Sequence, residues 1–164
     1  MQPGKNHLDL AVVLLVDDLD DDVFLAKRAF ASAKIPNPLY VVSDGEEAIE
    51  YLSGAGKFSS RAEFPLPDLI LLDIKMPRVS GFEVLQWIRA HPTLKPLRVV
   101  MLSFSGDPSD IQTSYELGAN SYLIKPVEFT SLVELMRATE TFWLKEARAP
   151  LLTRGPGGNT FSDS

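Results

Sequence analysis

The chain has 164 residues, 45% of them hydrophobic and 23% charged, which is the length of one domain with a full core and the composition of an ordinary folded protein. Two histidines, no cysteine and a formal charge of −6 exclude disulfides, zinc–thiolate chemistry and a histidine-based metal site; they also argue against nucleic acid, because Lys and Arg form no segregated basic cluster. No apolar run approaches the ~20 residues that span a bilayer, and Met1-Gln2-Pro3-Gly4-Lys5 lacks a signal-peptide core, so the expected location is the cytoplasm, away from membranes.

Residues 1–9 read as an N-terminal extension, followed by the β-rich run Val12-Val13-Leu14-Leu15-Val16. Asp20-Asp21-Asp22 then read as the solvated start of a helix whose positive end favours acids, with Val23, Leu25-Ala26 and Ala29-Phe30 on its apolar face. Leu39-Tyr40-Val41-Val42 is a second strand candidate, and Ala48-Ile49 and Leu52 mark a second helix. The connection Gly54–Pro67 is long for an αβ loop, a length often associated with function. Its Gly-x-Gly-Lys-x-Ser has the wrong glycine-to-lysine spacing for a phosphate loop and follows a helix, not a strand.

Leu69-Ile70-Leu71-Leu72, Val99-Val100-Met101-Leu102 and the weaker Tyr122-Leu123-Ile124 complete the strands. Between them fall Phe82, Leu85 and Ile88, then Ile111, Tyr115 and Leu117, at helical spacing. A last helix begins near Glu128 with Phe129, Leu132-Val133, Leu135-Met136 and Phe142-Trp143 on its apolar side. Residues 148–164, rich in Gly, Pro and Ser, read as a flexible tail. Continuous apolarity is what strands covered on both faces show, so βαβα alternation predicts an α/β fold, a doubly wound five-stranded parallel sheet with helices on both faces. One domain spans residues 10–147.

In such sheets ligands bind at the carboxyl ends of strands. Asp17-Asp18, Asp73, Ser103 and Lys125 follow four of the five runs. Converging carboxylates repel, and an oxygen-only donor set calls for Mg²⁺, with Mn²⁺ as the alternative. Lys125 adds a compact cation and Ser103 a hydroxyl. Together these groups suit in-line transfer of a phosphoryl group to a carboxylate.

Asp17-Asp18, Asp73-Ile74-Lys75-Met76-Pro77 with Gly81 beyond, Ser103 and Lys125-Pro126 together resemble the response-regulator receiver (CheY-like) family, from about Val12 to Phe142. The resemblance implies a flavodoxin-like sheet of strand order 2-1-3-4-5. It implies that Asp73 accepts a phosphoryl group from a histidine kinase, that Asp17, Asp18, Asp73 and the Lys75 backbone carbonyl surround the metal, and that Ser103 and Lys125 bind the phosphate. It further implies a switch in which Ser103 moves and Tyr122 turns inward, and a Lys125–Pro126 bond that is often cis. The long loop, Trp87, His91-Pro92 and Phe142-Trp143 liken the chain to the small stand-alone regulators of bacterial phytochrome kinases. The expected output is protein association, including a homodimer through the fourth helix, fifth strand and fifth helix, with Phe142-Trp143 as an anchor.

The chain departs from the family pattern at Phe104, where a small residue is usual; a benzyl group there is expected to shield Asp73 and lengthen the life of its acyl phosphate. Two other classes compete. An aspartyl-phosphate phosphohydrolase would need an acid two residues after Asp73, where Lys75 stands. A pseudo-receiver working without phosphorylation is opposed by the intact carboxylates and Lys125.

Overall fold

The structure is a computed structural model that describes residues 10–146. The expected N-terminal extension and the tail from residue 148 lie outside the described residues. Five parallel strands, β1 (Val13–Val16), β2 (Leu39–Val42), β3 (Leu69–Leu72), β4 (Arg98–Ser103) and β5 (Ser121–Ile124), form one sheet in the order β2-β1-β3-β4-β5. They alternate with α1 (Asp20–Ser32), α2 (Gly45–Ser53), α3 (Gly81–Ala90), α4 (Pro108–Glu116) and α5 (Phe129–Thr139). The doubly wound reading and the strand order expected from the resemblance both hold.

The continuous apolar runs are explained by this layering. Every residue of β1 and β3 is buried, and β4 is buried from Val99 onward. Alternate side chains serve opposite layers. Leu14, Val16, Ile70, Leu72, Val99 and Met101 pack with α2 and α3, whereas Val13, Leu15, Leu69, Leu71, Val100 and Leu102 pack with α1 and α5. The edge strands β2 and β5 are half-buried, which is why β5 reads more weakly in sequence.

Helix ends follow local chemistry. The side chains of Asp44, Ser80 and Asp107 accept hydrogen bonds from first-turn N–H groups of α2, α3 and α4. The long Gly54–Pro67 connection is anchored: Arg61 donates to the carbonyls of Tyr51, Leu52 and Phe64. Tyr51, Phe58 and Phe64 pack ring against ring beneath it. Its length therefore has a structural explanation in this aromatic cluster.

Three expectations are corrected. The Lys125–Pro126 bond is trans, as are all peptide bonds among the described residues. Beyond α5 the chain continues as a π-helix over Glu140–Glu146; Phe142 and Trp143 stay edge to face with ring centroids 4.7 Å apart, but Trp143 packs against the core while Phe142 stays 58% exposed. On α4, Tyr115 is exposed and Ser114 is the buried residue, so this helix is only lightly seated. No helix among the described residues is long and apolar enough to cross a membrane.

Gly81 opens α3 where the backbone folds back on the end of β3. Its N–H donates to Ile74 O at 2.8 Å, and a Cβ there would collide with the Asp73 carbonyl oxygen. Alanine favours a helix over glycine by roughly 1 kcal/mol, yet the collision is with backbone. Gly81→Ala should therefore destabilise the chain by about 1–3 kcal/mol. Urea unfolding checks this, and an unchanged or higher midpoint would show that α3 can shift freely.

Candidate functional site

Sheet register assembles the site. Val16 and Leu72 are partners across β1 and β3, Leu72 pairs with Met101, and Ser103 with Ile124. Asp17 and Asp73, each one step beyond its strand, therefore lie side by side, with Ser103 and Lys125 displaced successively along the same rim. Backbone hydrogen bonds continue past the strands to hold them: Asp73 N–H to Val16 O, Asp17 N–H to Val42 O, and Lys125 N–H to Ser103 O at 2.7 Å.

Asp17, Asp18 and Asp73 each offer a carboxylate oxygen within 4.8 Å of the others. Asp17 is 3% exposed and Asp73 9%. Asp17 accepts from the Leu19 N–H at 3.0 Å, and Asp73 from the Ile74 N–H at 2.8 Å. Asp18 Oδ1 is buried without a hydrogen-bond partner, an arrangement whose desolvation cost demands an explanation. Burial pushes the Asp73 carboxyl up to about 6; the Lys125 ammonium opposes this, Asp17 adds to it, the Ile74 hydrogen bond opposes, and Asp18 adds.

Lys125 is 7% exposed and donates to Asp17 Oδ2 at 2.9 Å and to Asp22 Oδ2 at 3.2 Å. Burial pulls its pKa down, but the Asp17 hydrogen bond and charge, followed by the charges of Asp73 and Asp22, outweigh it and hold the ammonium above its ordinary range. Asp22 was expected to be a solvated first-turn acid of α1. Its position is right, but its side chain turns into the site. No spacing signals this: Asp22 stands in the first turn of α1, and its direction is set by Lys125, 103 positions away.

Ser103 is 3% exposed, and its hydroxyl accepts from the Ser105 N–H at 3.2 Å. Ser105 in turn donates to Asp110 on α4 at 2.7 Å. Tyr122 is half-buried against the α2–α3 layer, with its hydroxyl donating to Ser105 O at 2.7 Å. Ser103 and Tyr122 thus meet through one loop residue. Phe104, between Ser103 and Ser105 in the chain, is 51% exposed, its ring centroid 4.8 Å from Lys125 Nζ.

Leu19, Asp22, Asp73, Lys75, Ser103, Phe104 and Ser105 line a cleft of about 370 Å³. Lys75 is exposed. Three carboxylates, with one Asp18 oxygen among them lacking a partner, form a hard, oxygen-only donor set, which fits Mg²⁺ or Mn²⁺ and not a softer metal.

Asp73's ordinary pKa is 3.8 and its folded value about 6, so between these values the folded chain keeps a proton that the unfolded chain has released. Stability from this proton is complete below the lower value and is lost as pH rises through the upper one. Without divalent metal, Asp73→Asn should be more stable than the native chain above the upper value by about 1–3 kcal/mol. The gap should close toward the lower value. Urea midpoints measured across this range check it, and equal midpoints at neutral pH would contradict it.

Residues 13–137 match the family model of the response regulator receiver domain. Response regulator Rcp1 of Synechocystis sp. is 35% identical over 139 residues, covering 85% of this chain and 92% of Rcp1. The crystal structure of the Mn²⁺-bound form of Rcp1 superposes with a TM-score of 0.76 at 35% identity, over 85% of this chain and 99% of the other. That of the phosphorylated cyanobacterial phytochrome response regulator RcpA gives 0.78 at 38% identity, over 86% and 99%. A response regulator in red light signaling of R. palustris gives 0.82 at 37% identity, again over 86% and 99%. With its strand order, its strand-end acids and this match across all five strands, the chain belongs to the response regulator receiver domain family.

Proposed function

We propose that the protein is a phosphorylation switch of a two-component pathway, in which Asp73 accepts a phosphoryl group from a histidine kinase. The observation that carries this reading is the meeting of Asp17, Asp18 and Asp73 within 4.8 Å beside Lys125, with one Asp18 oxygen buried and unpartnered. An Asp73 carboxylate oxygen attacks phosphorus as the bond from phosphorus to the histidine nitrogen breaks, and the electron pair stays on the imidazole. With its pKa at about 6, Asp73 is largely ionised at neutral pH and able to attack.

Mg²⁺, or Mn²⁺, held by Asp17, Asp18, Asp73 and the Lys75 carbonyl would neutralise charge gathering on the phosphoryl oxygens. Lys125 and Ser103 supply donors to those same oxygens. Ser103 can turn its hydroxyl from Ser105 to the phosphate; because Tyr122 holds the Ser105 carbonyl, that turn reaches the β4–α4 loop and the face of α4, β5 and α5. A cytoplasmic kinase of the phytochrome type is the proposed donor, supported by the likeness to RcpA and Rcp1.

Output is association through that face. Tyr115 is 49% exposed and Phe142 58%, and Phe142 lines a groove of about 300 Å³ with Leu123, Leu135 and Trp143. A second copy of the chain is the proposed occupant. Phe142→Ala should weaken self-association by about tenfold; sedimentation across a concentration series measures it, and unchanged association would move the contact elsewhere.

The central test is intact mass after incubation with Mg²⁺ and a small acyl-phosphate donor. The native chain should gain one phosphoryl group, and Asp73→Asn or removal of divalent metal should abolish the gain. No gain by a folded native chain would favour a phosphorylation-independent binding module.

A further inference from the structure

The Lys125 ammonium does not hydrogen-bond to Asp73. Both of its hydrogen bonds go toward α1, to Asp17 and Asp22, and Asp73 acts on it through charge alone. The Phe104 ring stands at 4.8 Å from the same nitrogen, so two carboxylates and an aromatic ring together account for its 7% exposure. Asp17 is also a carboxylate of the acidic cluster. Asp22 and Phe104 belong to neither the cluster nor the phosphate-binding set, yet both touch Lys125 and line the cleft beside Asp73.

We propose that Asp22 and Phe104 are positioning residues that hold Lys125 on the α1 side of the cleft, so that phosphoryl binding must draw the ammonium away from them. This deepens the switch reading above and rests on it for the identity of the competing group. The competition has a chemical basis. A phosphoryl group brings charge and three acceptor oxygens, which compete with the Asp22 carboxylate for the same N–H donors. Asp22 can release the ammonium without being stranded, because it lies in the first turn of α1, where the helix N-terminus favours an anion. Phe104 opposes the movement through the attraction between a cation and a ring face. Its ring thus acts on Lys125 as well as lining the cleft beside Asp73.

The test compares the native chain with Asp22→Asn, Phe104→Leu and Phe104→Tyr by calorimetric binding of beryllofluoride with Mg²⁺, a phosphoryl analogue that transfers nothing. Loosening the hold should tighten binding by roughly two- to fivefold in Asp22→Asn and in Phe104→Leu. Phe104→Tyr, which keeps the ring, should restore the native affinity. In a Lys125→Ala background both gains should vanish, whereas a purely steric effect of Phe104 would persist there. A second readout needs no metal: the ammonium proton signal of Lys125 in NMR should exchange faster in Asp22→Asn than in the native chain.

If the native chain binds beryllofluoride while both variants match it in affinity and in Lys125 exchange, the hold is wrong and the switch stands. If the native chain neither binds it nor takes a phosphoryl group while Lys125 exchange still responds to Asp22→Asn, the hold is real and its phosphoryl competitor is overturned. Phe104 is half exposed, so Phe104→Leu remains a usable test should Asp22→Asn fail to fold.

Discussion

The structure is organised around an electrostatic conflict: three carboxylates of one sheet rim meet within 4.8 Å, where two of them have lost most of their water. Coulomb repulsion in a partly desolvated site is too strong to leave uncompensated. Lys125 supplies part of the compensation as a buried ion pair with Asp17, while burial first, and then the charges of Asp17 and Asp18, lift the Asp73 carboxyl to about 6. The unpartnered Asp18 oxygen marks where a hard cation would relieve the rest.

That conflict is sustained by the backbone. Parallel pairing places the ends of β1, β3, β4 and β5 on one rim, and hydrogen bonds beyond the strands keep Asp17, Asp73 and Lys125 from spreading apart. The close approach of Gly81 to the Asp73 carbonyl locks α3 against the same turn. The apolar layers on both faces of the sheet supply the stability that such a site consumes.

A second feature is the short path from this rim to the surface. Ser103, Ser105 and Tyr122 are linked by two hydrogen bonds through one loop residue, and Ser105 also ties to Asp110 at the start of α4. Because α4 buries little of itself, the cost of moving it is small, and under the proposed switch a change at Ser103 would be expressed there.

Much of this was legible in the sequence. The buried strands read as continuous apolar runs because both faces are covered, and polar residues directly after such runs mark one rim, since parallel strands all end together. The convergence of Asp17, Asp18, Asp73, Ser103 and Lys125 on that rim was legible that way. The tertiary structure alone decided how those residues pair. Asp22 reads as a helix-start acid because sequence records its place on α1 but not the direction of the neighbouring ammonium. Phe142 and Trp143 look equivalent until packing seats Trp143 on the core and leaves Phe142 in solvent. Periodicity specifies which residues share a face of one element; charge pairing, side-chain direction and exposure depend on contacts between elements more than 100 positions apart, as in Lys125 with Asp17.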